Sequence, residues 1–213
     1  MTCPSDRRGP NKFVNEAYAL NDTDQVVEFY SKWADDYDYQ MLDELGYISP
    51  ITIAQLLIDH LSQKNARVFD IGCGTGLIGR FLHRQGYTQI DGIDLSPDMV
   101  RIAQDRNIYR QVMIADLNKP LVIADDTYDA AISSGTFTHG HVGPEPLEEI
   151  FRTLSPGGIL ACTVHRDLWQ TEGFEAKFNS LIETGLIECL SLEEGRFYQK
   201  GAIEGWFCLY RKL

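Results

Sequence analysis

The sequence lacks long apolar runs, paired cysteines and clusters of basic residues. No apolar run in its 213 residues approaches the roughly 18–20 residues that span a bilayer, and no signal-peptide pattern opens the chain. Its five cysteines are odd in number and form no C-x-x-C pair, which argues against a disulfide framework or a zinc site. A net charge of −12 disfavours a polyanionic partner. We expect a cytoplasmic protein with free thiols and no membrane or nucleic-acid partner.

The length of the chain suits one α/β domain with a sizeable core. Residues 1–22 are polar and without periodicity, and are predicted to form a flexible tail. Apolar residues at helical spacing follow, with a helix beginning near Asp22 and another over 50–63. We therefore expect a single domain over 23–213 that opens with a helical lid over about 23–63.

Strand-like and helix-like segments alternate from residue 66 onward, which is typical of a Rossmann-like α/β fold with a mostly parallel sheet. The sequence does not indicate the oligomeric state. Strands are predicted over 66–71, 89–94, 110–115, 128–133, 158–164, 186–192 and 205–211. Helices are predicted over 76–86, 97–106, 145–154 and 171–184, and a turn over 156–158.

A glycine loop follows the first predicted strand. Asp70 ends the strand, and the glycines of the loop (Gly72, Gly74, Gly76) allow a close approach of backbone to a ligand. The dinucleotide fingerprint would require glycine where this chain has Leu77, and no Gly-Lys-Ser/Thr of a Walker loop is present. A glycine loop in isolation can also be a structural turn.

Two further acids end the next two predicted strands. Asp94 lies about 20 residues beyond the glycine loop, the spacing at which a carboxylate accepts hydrogen bonds from both ribose hydroxyls. It could alternatively cap the helix that begins near Pro97, a role that Ser96 could also fill. Asp116 could accept a hydrogen bond from an exocyclic amine, with Ile114, Met99 and Leu117 around a flat ring, or could form an Asx turn toward Asn118.

The run Asp70-Ile-Gly-Cys-Gly-Thr-Gly76 resembles motif I of the class I S-adenosylmethionine (SAM)-dependent methyltransferases. Trp33-Ala-Asp-Asp-Tyr-Asp38 resembles the W-A-x-x-Y-D segment that covers the SAM site in many small-molecule members. Over about residues 28–165 the chain resembles the family typified by the Williams–Beuren syndrome chromosomal region methyltransferase. The resemblance implies a seven-stranded sheet with an antiparallel last strand, with SAM as cofactor and S-adenosylhomocysteine as product. The residues expected to bind the cofactor are Tyr30, Trp33, Tyr37, Asp70, Gly72, Cys73, Gly74, Gly76, Asp94, Leu95, Met99, Ala115, Asp116, Leu117, Ser133 and Ser134.

The segment after the fourth predicted strand, 132–137, is not the Asp/Asn-Pro-Pro-Tyr that goes with methylation of nucleic-acid bases or glutamine amides. We expect in-line methyl transfer to an oxygen or nitrogen of a small molecule. His139, His141 and His165 are candidate general bases, although a loop histidine pair also serves as a surface or capping feature. Three converging histidines could hold a metal, but without a clear carboxylate partner none is predicted.

Two other functions remain open. Since no decisive catalytic motif follows the fourth strand, the chain could be a SAM-binding sensor or partner subunit that performs no transfer. It could also methylate a protein side chain, which its acidic charge does not exclude.

Overall fold

The computed structural model describes residues 12–20, 22–140, 142–200, 202 and 204–213. Seven strands form one sheet: β1 (Val68–Ile71), β2 (Ile90–Asp94), β3 (Gln111–Ile114), β4 (Tyr128–Phe137), β5 (Leu154–His165), β6 (Ile187–Gly195) and β7 (Gly205–Lys212). Their order in space is β3-β2-β1-β4-β5-β7-β6. The helices are α1 (Lys12–Tyr18), α2 (Thr23–Asp38), α3 (Ser49–His60), α4 (Leu77–Arg84), α5 (Pro97–Asp105), α6 (Leu147–Thr153), α7 (Arg166–Thr171) and α8 (Phe174–Glu183).

Strands β1 to β5 pair in parallel, whereas β7 runs antiparallel to both β5 and β6. This arrangement confirms the predicted seven-stranded α/β fold with an antiparallel last strand. It also brings the carboxyl ends of the parallel strands to one edge, where such sheets bind ligands.

Both faces of the sheet are covered at its centre, where all residues of β1 and nearly all of β2 are buried. Side chains alternate between the faces, so Phe69 and Ala131 join one apolar cluster while Val68 and Ala130 join the other. In the part of the chain that the structure describes, no helix combines the length and the apolarity needed to cross a bilayer.

The segment predicted as a tail contains helix α1, which corrects that expectation for residues 12–20. Val14 and Ala17 are buried, and the ring of Phe13 stacks on that of Trp33 with 5.6 Å between centroids. Val14, Ala17 and Tyr18 are spaced i, i+3, i+4, which is the helical signal the sequence did contain. The segment is ordered because it covers apolar surface of α2.

Two predictions of secondary structure after residue 145 are wrong. The turn expected over 156–158 lies within β5, where Gly157 has a φ of 81° and the pairing with β4 shifts register. The single helix predicted over 171–184 is two helices, because Gly173, with a φ of 81°, interrupts the helical backbone. Helix α3 also ends at His60 rather than at residue 63.

Candidate functional site

A cavity of about 310 Å³ lies at the carboxyl ends of the parallel strands, lined by the loops after β1 to β4 and by α2. We call it the main cavity. The predicted cofactor residues that line it are Tyr30, Tyr37, Gly72, Gly74, Asp94, Leu95, Met99, Ala115, Asp116, Leu117 and Ser134.

The glycine loop at the floor of the main cavity is tightly packed. Gly72 has a φ of 62°, and a Cβ there would lie 2.1 Å from the Oγ1 of Thr136. Gly74 has a φ of 53°, and a Cβ there would meet no atom within 4 Å. The loop therefore needs glycine at 72 for space and conformation, and at 74 for conformation alone.

Asp94 ends β2 beside this loop and lines the main cavity. Its Oδ2 accepts a hydrogen bond from the Gly74 N–H at 2.8 Å, and its Oδ1 accepts one from the Ser96 N–H at 2.9 Å. Burial raises the pKa of this carboxyl, although the N–H groups of Ser96 and Gly74 favour its charged form. The Leu95 N–H also favours the charged form, and since a carboxylate has about four lone-pair sites, acceptor capacity remains for a ligand. Ser96, not Asp94, caps α5 by accepting from the Met99 N–H at 3.4 Å.

Asp116 lies at the other end of the same wall. Its Oδ1 accepts from the Asn118 N–H at 3.0 Å, so the Asx turn and the cavity position coexist. Burial would raise its pKa, but the hydrogen bonds from Asn118 and Lys119 outweigh burial and lower it. Met99 and Leu117 line the cavity nearby, whereas Ile114 is 59% exposed and does not, which corrects its expected place beside a ring.

Asp70, the third predicted acid, does not line the main cavity. It is fully buried, and its Oδ2 accepts a hydrogen bond from the Tyr109 hydroxyl at 2.7 Å. Burial raises its pKa from the ordinary value of 3.8 to about 7, and the nearby Asp94 carboxylate adds to the rise. Of the three predicted acids, only Asp94 and Asp116 line the main cavity, whereas the Asp70 carboxylate is buried against the Tyr109 hydroxyl.

Helix α2, which lies within the segment expected to form a lid, contributes Tyr30 and Tyr37 to the lining of the main cavity. Tyr30 and Tyr37 face the cavity, and burial raises the pKa of both hydroxyls, which therefore stay protonated. The Asp38 carboxylate accepts a hydrogen bond from the Thr75 hydroxyl at 2.5 Å and forms an ion pair with Arg106. The lid is thus tied directly to the glycine loop.

Four other predicted cofactor residues lie outside the lining. Trp33 is buried among aromatic rings of the lid, and its Nε1–H donates to Gln40 Oε1 at 2.8 Å. Cys73 is buried against Val100, and Gly76, with a φ of 90°, caps α4. The buried Ser133 hydroxyl donates to the Ile71 carbonyl at 2.8 Å.

The lining residues that the sequence interpretation missed come from the start of α2, from β2 and β4, and from the loops after β2, β3 and β4. Asp22, where the sequence predicts only that a helix begins, lines the cavity, and its Oδ1 caps α2 by accepting from the Gln25 N–H at 2.8 Å. A cap at the start of a lid helix is the signal that could have found it. The missed residues are Asp22, Thr23, Val26, Ile93, Ser96, Asn118, Gly135, Thr136, Gly140 and Val142.

A second cavity, of about 40 Å³, adjoins the main one and shares Tyr30, Tyr37 and Gly135 with it. Ser134 marks the boundary, since its Oγ lies 2.8 Å from Ser49 Oγ and 3.2 Å from the Tyr47 hydroxyl. The second cavity is lined mainly by aromatic and apolar side chains, among them Tyr18, Trp33, Tyr47, Phe137, Phe197 and Tyr198.

Two of the predicted histidines, His139 and His165, lie beyond Tyr18 and line neither of these cavities. His139 and His165 face each other with 4.6 Å between ring centroids, and the ring of Tyr18 contacts both. His139 Nε2 is 3.2 Å from Asp167 Oδ2. Burial, and to a lesser extent His139, lowers the pKa of His165 to about 4, so this ring is neutral near pH 7. His141 lies outside the described residues.

Comparison with known proteins shows the class of protein to which this chain belongs. A family profile described as a methyltransferase domain matches residues 68–158. Human methyltransferase-like protein 27 is 32% identical over 187 residues, which cover 83% of this chain and 74% of that protein. A ubiquinone biosynthesis O-methyltransferase of Xylella fastidiosa is 28% identical over 166 residues, or 73% of this chain and 63% of that enzyme. A bovine 18S rRNA (guanine-N(7))-methyltransferase is 41% identical, but over only 33% of this chain and 25% of that enzyme.

Among solved structures, a TehB-like SAM-dependent methyltransferase of Corynebacterium glutamicum superimposes with a TM-score of 0.65, 24% identity and coverage of 86% of this chain and 98% of that one. The chain therefore belongs to the class I SAM-dependent methyltransferases. The family implies SAM as the methyl donor.

Proposed function

We propose that the main cavity binds SAM and that this chain transfers its methyl group to an oxygen or nitrogen of a small molecule. The observation that carries the proposal is Asp94. Its carboxylate lines the cavity, and the Gly74 and Ser96 N–H groups hold it in place while acceptor capacity remains for a ribose hydroxyl. Charge-assisted hydrogen bonds of this kind contribute roughly 1.5–3 kcal/mol each.

The rest of the lining suits the other parts of SAM. Met99 and Leu117 offer apolar contacts to a flat purine, and Asp116 offers an acceptor to its exocyclic amine. Gly72 and Gly74 bring backbone close to the cavity beneath the lid. When bound, SAM supplies an electrophilic methyl group on a sulfonium, which needs no covalent enzyme intermediate.

The lining of the second cavity suits a methyl acceptor that is small and largely apolar. It adjoins the main cavity at Gly135, and aromatic side chains dominate its lining. Helix α1 closes it with Val14, Ala17 and Tyr18, so an acceptor larger than its present 40 Å³ requires this helix to move. The Xylella fastidiosa relative, by its name, methylates an oxygen, which fits an acceptor of this kind.

Positioning is the main contribution that the protein makes to such a reaction. Holding two reactants in a near-attack arrangement is worth on the order of 7–11 kcal/mol. The candidate bases His139 and His165 lie outside both cavities, so we do not assign them a proton-transfer role. Enclosure by Tyr30 and Tyr37 would exclude water from the reacting groups.

Transfer of a labelled methyl group from SAM into a cell extract tests the proposal. The product is separated into small-molecule, protein and RNA fractions, and Asp94→Ala is assayed beside Asp105→Ala, which removes an exposed acid at the end of α5. We expect label in the small-molecule fraction, lost in Asp94→Ala and kept in Asp105→Ala.

The other outcomes each point to a different function. Label in RNA would favour the activity of the bovine relative, against which the net charge of −12 argues. Label in protein would favour a side-chain methyltransferase. Binding of SAM without any transfer would indicate a sensor or partner subunit. We further propose that the chain lies within the Williams–Beuren family, for which the match to methyltransferase-like protein 27 is the support.

A further inference from the structure

Three potential metal ligands meet outside the cavities, at the carboxyl ends of two neighbouring strands. His139 follows the last residue of β4 by two positions, His165 is the last residue of β5, and Asp167 lies in the first turn of α7. Because β4 and β5 are parallel neighbours, they deliver the two histidines side by side. The sequence offered no carboxylate partner for these histidines, and Asp167 supplies it.

The spacing of the ligand atoms suits a single ion. Asp167 Oδ2 lies 3.2 Å from His139 Nε2 and 3.9 Å from His165 Nδ1, and one ligand atom from each residue lies within 4.8 Å of the others. Ligands about 2.1 Å from a tetrahedral ion are about 3.4 Å apart, so side-chain shifts of about 1 Å would complete the geometry. We propose that His139, His165 and Asp167 bind one divalent transition-metal ion of the zinc type.

The surroundings favour a defined site over a chance surface cluster. The side chains of His139 and His165 are only 11% and 12% exposed, and that of Asp167 is 27% exposed. Edge-on contacts from the Tyr18 ring, at 5.3 and 5.5 Å between centroids, restrict both imidazoles. Two histidines and one carboxylate leave a fourth coordination position for water or another ligand.

Without metal, the same residues form a weaker set of contacts. His165 Nδ1 accepts from the Asp167 N–H at 3.3 Å, a long hydrogen bond that caps α7. Metal binding would replace this contact with a coordinate bond and would join the loop after β4 to α7. The ion would therefore rigidify the wall of the second cavity that Phe137 and Thr138 form.

Cobalt(II) is the probe that tests the site, because its visible absorption reports coordination directly. The full chain, freed of metal with a chelator, is titrated with cobalt chloride, and zinc chloride is then added as competitor. We expect one equivalent of cobalt to bind with the absorption of a four- or five-coordinate site, and zinc to displace it. Asp167→Asn and His165→Ala should each weaken cobalt binding at least tenfold, whereas His83→Ala, which removes an exposed histidine of α4, should not.

Circular dichroism on the same samples shows whether each variant is folded. SAM titration on these samples shows separately whether the main cavity binds SAM. Asp167→Asn keeps the size of the side chain, so a folded variant that has lost cobalt binding supports the site. Equal cobalt affinity in the wild type and Asp167→Asn would overturn the proposal, as would a sulfur-to-cobalt charge-transfer band showing cysteine ligation. Neither result depends on whether the main cavity binds SAM.

Discussion

The main cavity and the second cavity adjoin at Gly135, yet they are built in different ways. The main cavity is formed largely by successive strand–loop units, in which Gly72, Asp94 and Asp116 each lie at or just after the carboxyl end of a parallel strand. The second cavity draws on residues far apart in sequence, such as Ala17 and Tyr198, and α1 closes it. The first is therefore set by local structure and sheet topology, and the second by packing between distant segments.

This difference suggests that the two cavities have separate tasks. The main cavity has a fixed acid and a rigid glycine loop, which suit a constant ligand. The second cavity is covered by a seven-residue helix whose Phe13 is 36% exposed, so the chain can open there at a smaller energetic cost. Variants that affect one cavity and spare the other can test this separation.

The largest expected change in the free energy of unfolding comes from a substitution at Gly72, where the floor of the main cavity contacts β4. Gly72→Ala forces an alanine to a φ of 62° and a Cβ to within 2.1 Å of Thr136 Oγ1. Thr136 cannot rotate away without losing its hydrogen bonds to Ser133 and the Ile71 carbonyl. We expect a loss of about 3 kcal/mol in the free energy of unfolding, measured by urea denaturation.

Gly157→Ala is the matched control for that variant. Gly157 also has a positive φ, of 81°, but a Cβ there would meet no atom within 4 Å. It should therefore lose only about 1 kcal/mol, the cost of the backbone conformation alone. Equal losses in the two variants would show that the contact with Thr136 is unimportant.

Tyr18→Ala should affect the second cavity and the neighbouring histidines but spare the main cavity. The half-buried ring of Tyr18 contacts His139 and His165, so its removal should cost about 2 kcal/mol of unfolding free energy. The affinity for SAM should change less than threefold, because Tyr18 does not line the main cavity. Tyr39→Ala, which removes a side chain that is 61% exposed, is the control for stability. A tenfold loss of SAM affinity in Tyr18→Ala would contradict the separation of the two cavities.

A smaller effect, visible in the pH dependence of stability, is expected from Asp70. Its pKa rises from 3.8 to about 7 on folding, because burial disfavours the charged carboxylate and the nearby Asp94 carboxylate adds to the rise, although the hydrogen bond from Tyr109 opposes it. The folded state thus binds this proton more tightly than the unfolded state. The contribution of this proton to the free energy of unfolding is fully present below about pH 4 and is lost as the pH rises through about 7.

Urea denaturation of the wild type and Asp70→Asn between pH 4 and 8 measures this contribution. Asparagine can still accept from the Tyr109 hydroxyl but does not titrate. The wild type should therefore lose stability relative to Asp70→Asn as the pH rises. A constant difference between the two proteins across this range would show that the pKa of Asp70 is not raised.

The sequence predicted the fold and about half of the lining of the main cavity, because these parts follow from local patterns. Alternating apolar segments define the strands, and the acids Asp94 and Asp116 occur where parallel strands end. Whether a strand-end acid faces the cavity or the interior is not a local property. Asp70 turns toward Tyr109, a contact across 39 residues that no spacing rule reveals.

The second cavity and the histidine cluster beside it were harder to predict for the same physical reason. Helix α1 was not recognised because its seven residues are too short to stand out by periodicity, and it is held by contacts such as that of Phe13 with Trp33. The three-residue cluster of His139, His165 and Asp167 depends on the parallel pairing of β4 with β5 and on α7 beginning directly after β5. The sequence interpretation had placed a helix only from residue 171.

Titration calorimetry with SAM and S-adenosylhomocysteine tests the role of Asp94 most directly. The wild type and Asp105→Ala should bind both ligands with similar affinity, and Asp94→Ala should bind each at least tenfold more weakly, a loss of about 1.4 kcal/mol or more. Unchanged affinity in Asp94→Ala, or no heat with either ligand in the wild type, would contradict the assignment of the main cavity as the SAM site.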